Sequence, residues 1–252
     1  MISKMQKPSS NNNNYLAIDT FGKILSAAVS NDEEIHYTET ASEMKQSELV
    51  MDMIDTLIKK AGITPSELDM VLCMEGPGSF TGLRIGYSIA KGLALSLSVP
   101  ISAIPTLDCI AFQAAMNTEN LLFTDSSHVL AVIESRKNAF YYSFFRNLPS
   151  AGFNLSRLID DSEGDILHIT GKISNYKEKI TITGPGSSLL YNNLPLDIKE
   201  NILINDSNSG YAKELIILAK NRKIIHNDNS NYLYSGPEYI RKTPAEEEIA
   251  QQ

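Results

Sequence analysis

Apolar and polar positions change period several times along the chain, and each change marks an element. Tyr15 to Asp19 is a short apolar run ending in an acid. Phe21-Gly22-Lys23 turns the chain into Ile24–Ser30, and Asn31-Asp32 is a second turn signal before Ile35–Thr40. Three strands joined by tight turns predict an antiparallel meander. The period then lengthens: Leu49, Val50, Met53, Ile54, Leu57, Ile58 and Ala61 form one broad helical stripe. Lys59 and Lys60 complement the dipole at its C-terminal end, and Gly62 can supply the left-handed residue beyond it. Thr64-Pro65-Ser66-Glu67 has the form of a capping box with proline at the first helical position, leading into a strand at Met70–Met74. Glu75-Gly76-Pro77-Gly78-Ser79-Phe80-Thr81-Gly82 follows, and then a helix to about Leu97.

The second half is organised similarly. Val129–Glu134 reads as a strand, Ser135-Arg136-Lys137-Asn138 as a turn, and Ala139–Phe145 as a strand rich in aromatics. A short helix is expected between about 161 and 175, a strand at Ile180–Thr183, a helix opened by Gly184-Pro185-Gly186, a strand at Ile202–Ile204 and a helix at Tyr211–Asn221. The doubled order, without a residue-level repeat, predicts two related α/β lobes meeting near residues 105–127.

Small residues recur every four positions at Gly82, Gly86, Ala90 and Ala94. Such a row forms a shallow groove that either packs on the chain's own sheet or admits a helix of another subunit. The glycine-rich segment satisfies neither phosphate pattern: Thr81 and Leu83 stand where a P-loop needs its second glycine, and Thr81 where the dinucleotide pattern needs its third. A strand-to-helix turn that cradles an anion and one capped by its own Ser79 or Thr81 both remain open. The four histidines are scattered, with no His-x-x-x-His and no Gly-x-Ser-x-Gly. Asp19 and Glu134 end corresponding strands; they either contact Mg²⁺ or nucleotide across a cleft or simply terminate those strands.

The 22 Lys and Arg against 30 Asp and Glu leave a net charge of −8 in 252 residues, which argues against direct gripping of nucleic acid. Apolar residues make up 42%, enough for a sizeable core. Two cysteines, Cys73 and Cys109, form no metal or disulfide framework, so a cytoplasmic setting is expected. Residues 1–14 read as a disordered polar tail, and no apolar run reaches the roughly 18 residues of a membrane span.

Gly76-Pro77-Gly78-Ser79-Phe80-Thr81-Gly82-Leu83-Arg84-Ile85-Gly86, continuing to Ala94, resembles the signature of the TsaB (YeaZ) family of tRNA threonylcarbamoyladenosine biosynthesis proteins. Ala17-Ile18-Asp19-Thr20 resembles the family's opening strand, Glu134-Ser135-Arg136 with Tyr141 its second-lobe Asp-Ala-Arg…Tyr, and Pro237-Glu238-Tyr239-Ile240-Arg241 its C-terminal Pro-x-Tyr-Leu-Arg. The resemblance implies an α/β actin-like ATPase (ASKHA) fold of two ribonuclease-H-like lobes, the second degenerate, divided as 15–108 and 109–252. It also implies a non-catalytic scaffold that activates a TsaD-like catalytic subunit. With a TsaE-like ATPase, that complex transfers threonylcarbamoyl to adenosine in ANN-decoding tRNAs. tRNA is met through the complex, a homodimer forms without the partner, no cofactor is intrinsic, and ATP or ADP can sit at the interface with partner subunits.

In the TsaD-like relative a His-x-x-x-His binds metal; Met44 and Glu48 occupy those positions here, which implies loss of the metal site. Helices at about Glu43–Lys60 and Thr81–Leu97 are implied to face the partner, with Met44, Glu48, Met51, Gly82, Gly86, Ala90 and Ala94 at the interface. The alternative is an enzyme of the same fold, a glycoprotease-like metallopeptidase or a small-molecule kinase. Glu134 in place of Asp, and Asn138-Ala139 in place of Gly-Glu, depart from the family's second-lobe pattern.

Overall fold

The computed structural model describes residues 13–32, 34–41, 46–116, 128–147, 155–206, 209–221 and 236–240; the tail expected at 1–14 lies almost wholly outside them. β1 (Tyr15–Asp19), β2 (Ile24–Ser30) and β3 (Ile35–Ala41) form the meander, with Ala17 opposite Ala28 and Ala28 opposite Tyr37. α1 (Gln46–Lys60) ends at Gly62, whose φ of 68° is one glycine adopts freely. The capping box at Thr64–Glu67 closes a single 3₁₀ turn. β4 (Met70–Gly76) then returns parallel to β1, α2 (Phe80–Leu97) crosses over, and β5 (Ile101–Pro105) lies parallel to β4. The sheet order is β3-β2-β1-β4-β5.

After α3 (Thr106–Met116) the same path is traced again. β6 (His128–Arg136) pairs antiparallel with β7 (Ala139–Asn147), which carries both β8 (Leu155–Arg157) and β9 (Ser162–Asp165). α4 (Ile166–Ile173) leads to β10 (Ile180–Thr183), parallel to β6; α5 (Ser187–Asn192) and α6 (Leu196–Lys199) lead to β11 (Ile202–Asn205), parallel to β10. The second order is β11-β10-β6-β7-β8. A meander on one side of the first strand and two parallel strands on the other is the ribonuclease-H-like pattern, present twice. The second copy is the reduced one. Strands of three and four residues replace the seven-residue β3, and helices of six and four residues replace the eighteen-residue α2.

The chain divides into residues 1–109 with 209–237, and 110–208 with 238–252. This differs from the division expected at 108/109, because α7 (Ala212–Asn221) returns to pack on β1 to β4. Strand alternation separates the two faces of the first sheet. Leu16, Ile18, Leu25, Ala27 and Val29 join the core under α1 and α2. Asp19 and Ser26 point the other way and touch the start of α7. The second core gathers Leu130, Val132, Phe140, Tyr142 and Phe144 with Ile169 and Ile173 of α4 and Leu190 of α5.

Candidate functional site

The long motif is built around the turn that follows β1. The Ser79 amide donates to the Phe21 carbonyl at 3.0 Å, and the Thr20 hydroxyl donates to the Gly82 carbonyl at 2.7 Å. Gly78 is small because Phe21 is beside it: a Cβ at Gly78 would stand 2.9 Å from Phe21 Cβ. Gly76, with a φ of 123°, precedes a cis peptide to Pro77, and both residues are buried. Ser79 is the N-cap of α2, its Oγ accepting from the Gly82 amide at 3.3 Å. The turn is therefore self-capped. Thr81 and Arg84 are exposed beyond it, and the Arg84 guanidinium lies 5.9 Å from the centre of the Phe80 ring.

The stepped small residues face inward, not toward a partner. Gly82, Gly86, Ala90 and Ala94 are all buried, and Ala90 and Ala94 belong to the core between α2 and its own sheet. A Cβ at Gly82 would stand 2.0 Å from the Thr20 carbonyl oxygen, and one at Gly86 2.5 Å from Thr20 Oγ1. The interface assignment of these four residues is corrected accordingly: their smallness lets α2 approach Thr20. Gly86→Ala should therefore destabilise the wild-type chain by about 1–3 kcal/mol. In a Thr20→Ala background the same change meets only Cβ, at 3.8 Å, and should stabilise by up to ~1 kcal/mol through helix propensity. Chemical denaturation of the four chains of this cycle reads the change of sign; a Gly86→Ala penalty that survives in the Thr20→Ala background would contradict this packing.

The exposed arc of α2 carries Ser88, Gly92, Leu95 and Ser96, with Ser88 about 200° around the helix from Gly86. Gly92 has open space where a Cβ would point, and Leu95 is 60% exposed. α1, which touches α2, turns outward Glu48, Met51, Asp52 and Asp55. Of the residues implied on α1, Glu48 and Met51 are thus on the surface, while Met44 lies outside the described residues.

Asp19 closes β1. It is fully buried; Oδ1 accepts from the Phe21 amide at 3.2 Å, and Oδ2 from Ser26 Oγ at 3.1 Å and from the Tyr211 amide at 2.8 Å. Burial pushes its carboxyl up to about 6, against the pull of those three donors; the charge of Glu39 adds a smaller rise. The carboxylate is enclosed and used at the N-terminus of α7, so it does not fit a water-bridged metal or nucleotide contact. Glu134, in the other unit, is exposed two residues before the end of β6, opposite Phe140. Its amide donates to the Pro185 carbonyl at 3.4 Å, and Ser135 and Arg136 beside it both reach Glu163, at 2.8 Å and 3.5 Å. Among the described residues no group of three His, Cys, Asp or Glu is placed to hold a metal ion.

Sequence reasoning gives no packing or hydrogen-bonding role to Thr20, Ser26, Tyr37 or Gly210. The first two carry hydroxyls that take part in buried hydrogen bonds. A Cβ at Gly210 would stand 2.3 Å from Ser26 Cβ and 3.2 Å from the Tyr37 hydroxyl, so only glycine fits where α7 begins. A lone glycine before an amphipathic segment was the signal available for it.

Residues 23–248 match the family model described as TsaD, tRNA N6-adenosine threonylcarbamoyltransferase. The tRNA threonylcarbamoyladenosine biosynthesis protein TsaB of Buchnera aphidicola subsp. Acyrthosiphon pisum is 26% identical over 228 residues, 87% of this chain and 97% of that protein. The protein of the same name from Buchnera aphidicola subsp. Schizaphis graminum is 30% identical over 174 residues, 68% of this chain and 78% of its own length. A solved structure of YeaZ from Pseudomonas aeruginosa superposes with a TM-score of 0.73 at 19% identity, covering 90% of this chain and 99% of that one.

Proposed function

The chain belongs to the TsaB family of tRNA threonylcarbamoyladenosine biosynthesis proteins, and on that premise we propose that it is a non-catalytic scaffold and activator of a TsaD-like transferase. The observation that carries this reading is the split character of the first unit. Its candidate acid, Asp19, is buried and bound up in the fold, while the outer faces of α1 and α2 offer Met51 and Leu95 to a partner. Exposed apolar side chains beside small ones on α2, at Ser88, Gly92 and Ser96, suit the close approach of another pair of helices.

The same face serves a homodimer when the partner is absent. A TsaE-like ATPase joins the pair, ATP or ADP is held between subunits, and tRNA is met through the complex in the cytoplasm. Among the described residues no helix is long and apolar enough to cross a membrane. Enclosure of Asp19 weighs against a kinase-type site in this chain.

Co-expression with the cognate TsaD-like subunit, followed by size-exclusion chromatography, tests the assignment. Leu95→Arg and Met51→Arg should each weaken the complex by at least about tenfold, because a buried unpaired charge replaces an apolar contact. Both variants should keep the melting temperature of the isolated chain. Retention of full affinity in both would place the partner elsewhere.

A further inference from the structure

Three helices remote in sequence begin on one short turn. The Gln46 side chain, in the first turn of α1, donates Nε2 to the Gly22 carbonyl at 2.9 Å. The Gly82 carbonyl, in the first turn of α2, accepts from Thr20 at 2.7 Å. The Tyr211 amide, just before α7, donates to Asp19 at 2.8 Å. Phe21 joins the three. Its amide donates to Asp19, its carbonyl accepts from Ser79, and its ring centre lies 5.7 Å from that of Tyr211. α1 and α2 cover one face of the sheet, and α7 covers the other.

The seat of α7 is closely fitted. Ser26 Oγ accepts from the Ala212 amide at 3.1 Å, and Glu39 accepts from the Gly210 amide at 2.7 Å. The Tyr37 hydroxyl is shared between Glu39 and the Gly210 carbonyl. On the other side of the turn there is equally little slack, since Gly78 and Gly82 both meet it without room for a methyl group. In a close-packed interior a displaced group must move its neighbours or lose their contacts.

We propose that the seating of α7 sets the N-terminal turn of α2, and with it the partner face, through the Asp19–Gly22 turn. When Tyr211 leaves its seat, Asp19 loses a donor and the Phe21 ring loses a neighbour. The Phe21 backbone is then free to shift, and the Ser79 amide shifts with it. α7, the last helix among the described residues, thereby regulates how α1 and α2 are presented. The regulatory role rests on the reading that these helices bind the partner; the mechanical coupling does not.

Residue-resolved amide exchange on the isolated full chain tests the coupling. Ser26→Ala removes the acceptor for the Ala212 amide and one donor to Asp19; Gly210→Ala drives a methyl group into Ser26. In each variant the amides of Ala212 and Leu215 should exchange at least about fivefold faster, and those of Ser79, Gly82 and Leu83 should accelerate with them. Exchange that quickens in α7 while those three amides keep wild-type rates overturns the proposal. If Gly210→Ala does not fold, Ser26→Ala carries the test. Affinity for the TsaD-like subunit, measured on the same variants, should fall at least tenfold. Coupled exchange with unchanged affinity would keep the coupling, remove its regulatory role and count against the partner-face reading.

Discussion

Replacing Gly82 by alanine is expected to destabilise the first unit by about 3 kcal/mol or more, a large share of the roughly 5–15 kcal/mol that holds an ordinary domain folded. The added Cβ would stand 2.0 Å from the Thr20 carbonyl oxygen and 3.1 Å from its carbonyl carbon. These are backbone atoms, so no side-chain rotation relieves the clash. α2 would have to lift from the sheet, breaking the Thr20 to Gly82 hydrogen bond and opening the core around Tyr87 and Ala90. Gly92 on the same helix supplies the contrast. Nothing lies within 4 Å of a Cβ there, and Gly92→Ala should raise stability by up to ~1 kcal/mol through helix propensity alone. Urea denaturation of the two variants should move the midpoint in opposite directions. A Gly82→Ala chain as stable as wild type would show that this glycine does not pack on Thr20.

The second large effect is a dependence of stability on pH. Asp19 ionises at about 6 in the folded chain, above its ordinary 3.8, because burial disfavours the charge. The folded state then binds the proton more tightly than the unfolded state. The stabilisation this confers is complete below about pH 4 and is lost as pH rises through about 6, a change of about 3 kcal/mol. Asp19→Asn cannot titrate, so its stability should lack this fall. Asparagine also has a cost of its own at every pH. Three donors converge on the carboxylate, and an amide must turn its NH₂ toward at least one of them. Denaturation midpoints of both chains between pH 4 and pH 7.5 test the claim; parallel curves would mean that Asp19 does not titrate in this window.

Local signals were readable in advance and long-range ones were not. The stripe of α1, the glycine that ends it and the capping box at Thr64–Glu67 are each encoded within a few residues, and each is found. The four-residue step from Gly82 to Ala94 was equally plain, but a stripe does not say which surface it meets. That choice depends on Thr20, 62 residues from Gly82. α3 falls within the boundary that the sequence suggests near 105–127, because it is apolar nearly all round; without a polar face it has no helical period to detect. β5 before it is five residues of apolar run, too short for periodicity to settle. The destination of α7 was hidden for another reason. The Tyr211 amide meets Asp19 across 192 residues, and no local pattern encodes that pairing.

The family signature, by contrast, was legible because it is contiguous. Its glycines Gly78, Gly82 and Gly86 build the junction under α2, while Ser88, Gly92, Leu95 and Ser96 on the same helix stay exposed.

The account stands most directly on the tRNA itself. Depletion of this protein in its own cell, with mass spectrometry of tRNA nucleosides, should remove the threonylcarbamoyl mark from adenosine. Re-expression of the wild-type chain should restore it, and Leu95→Arg, folded but weakened in docking, should restore less of it. Persistence of the mark after depletion would contradict the proposed function.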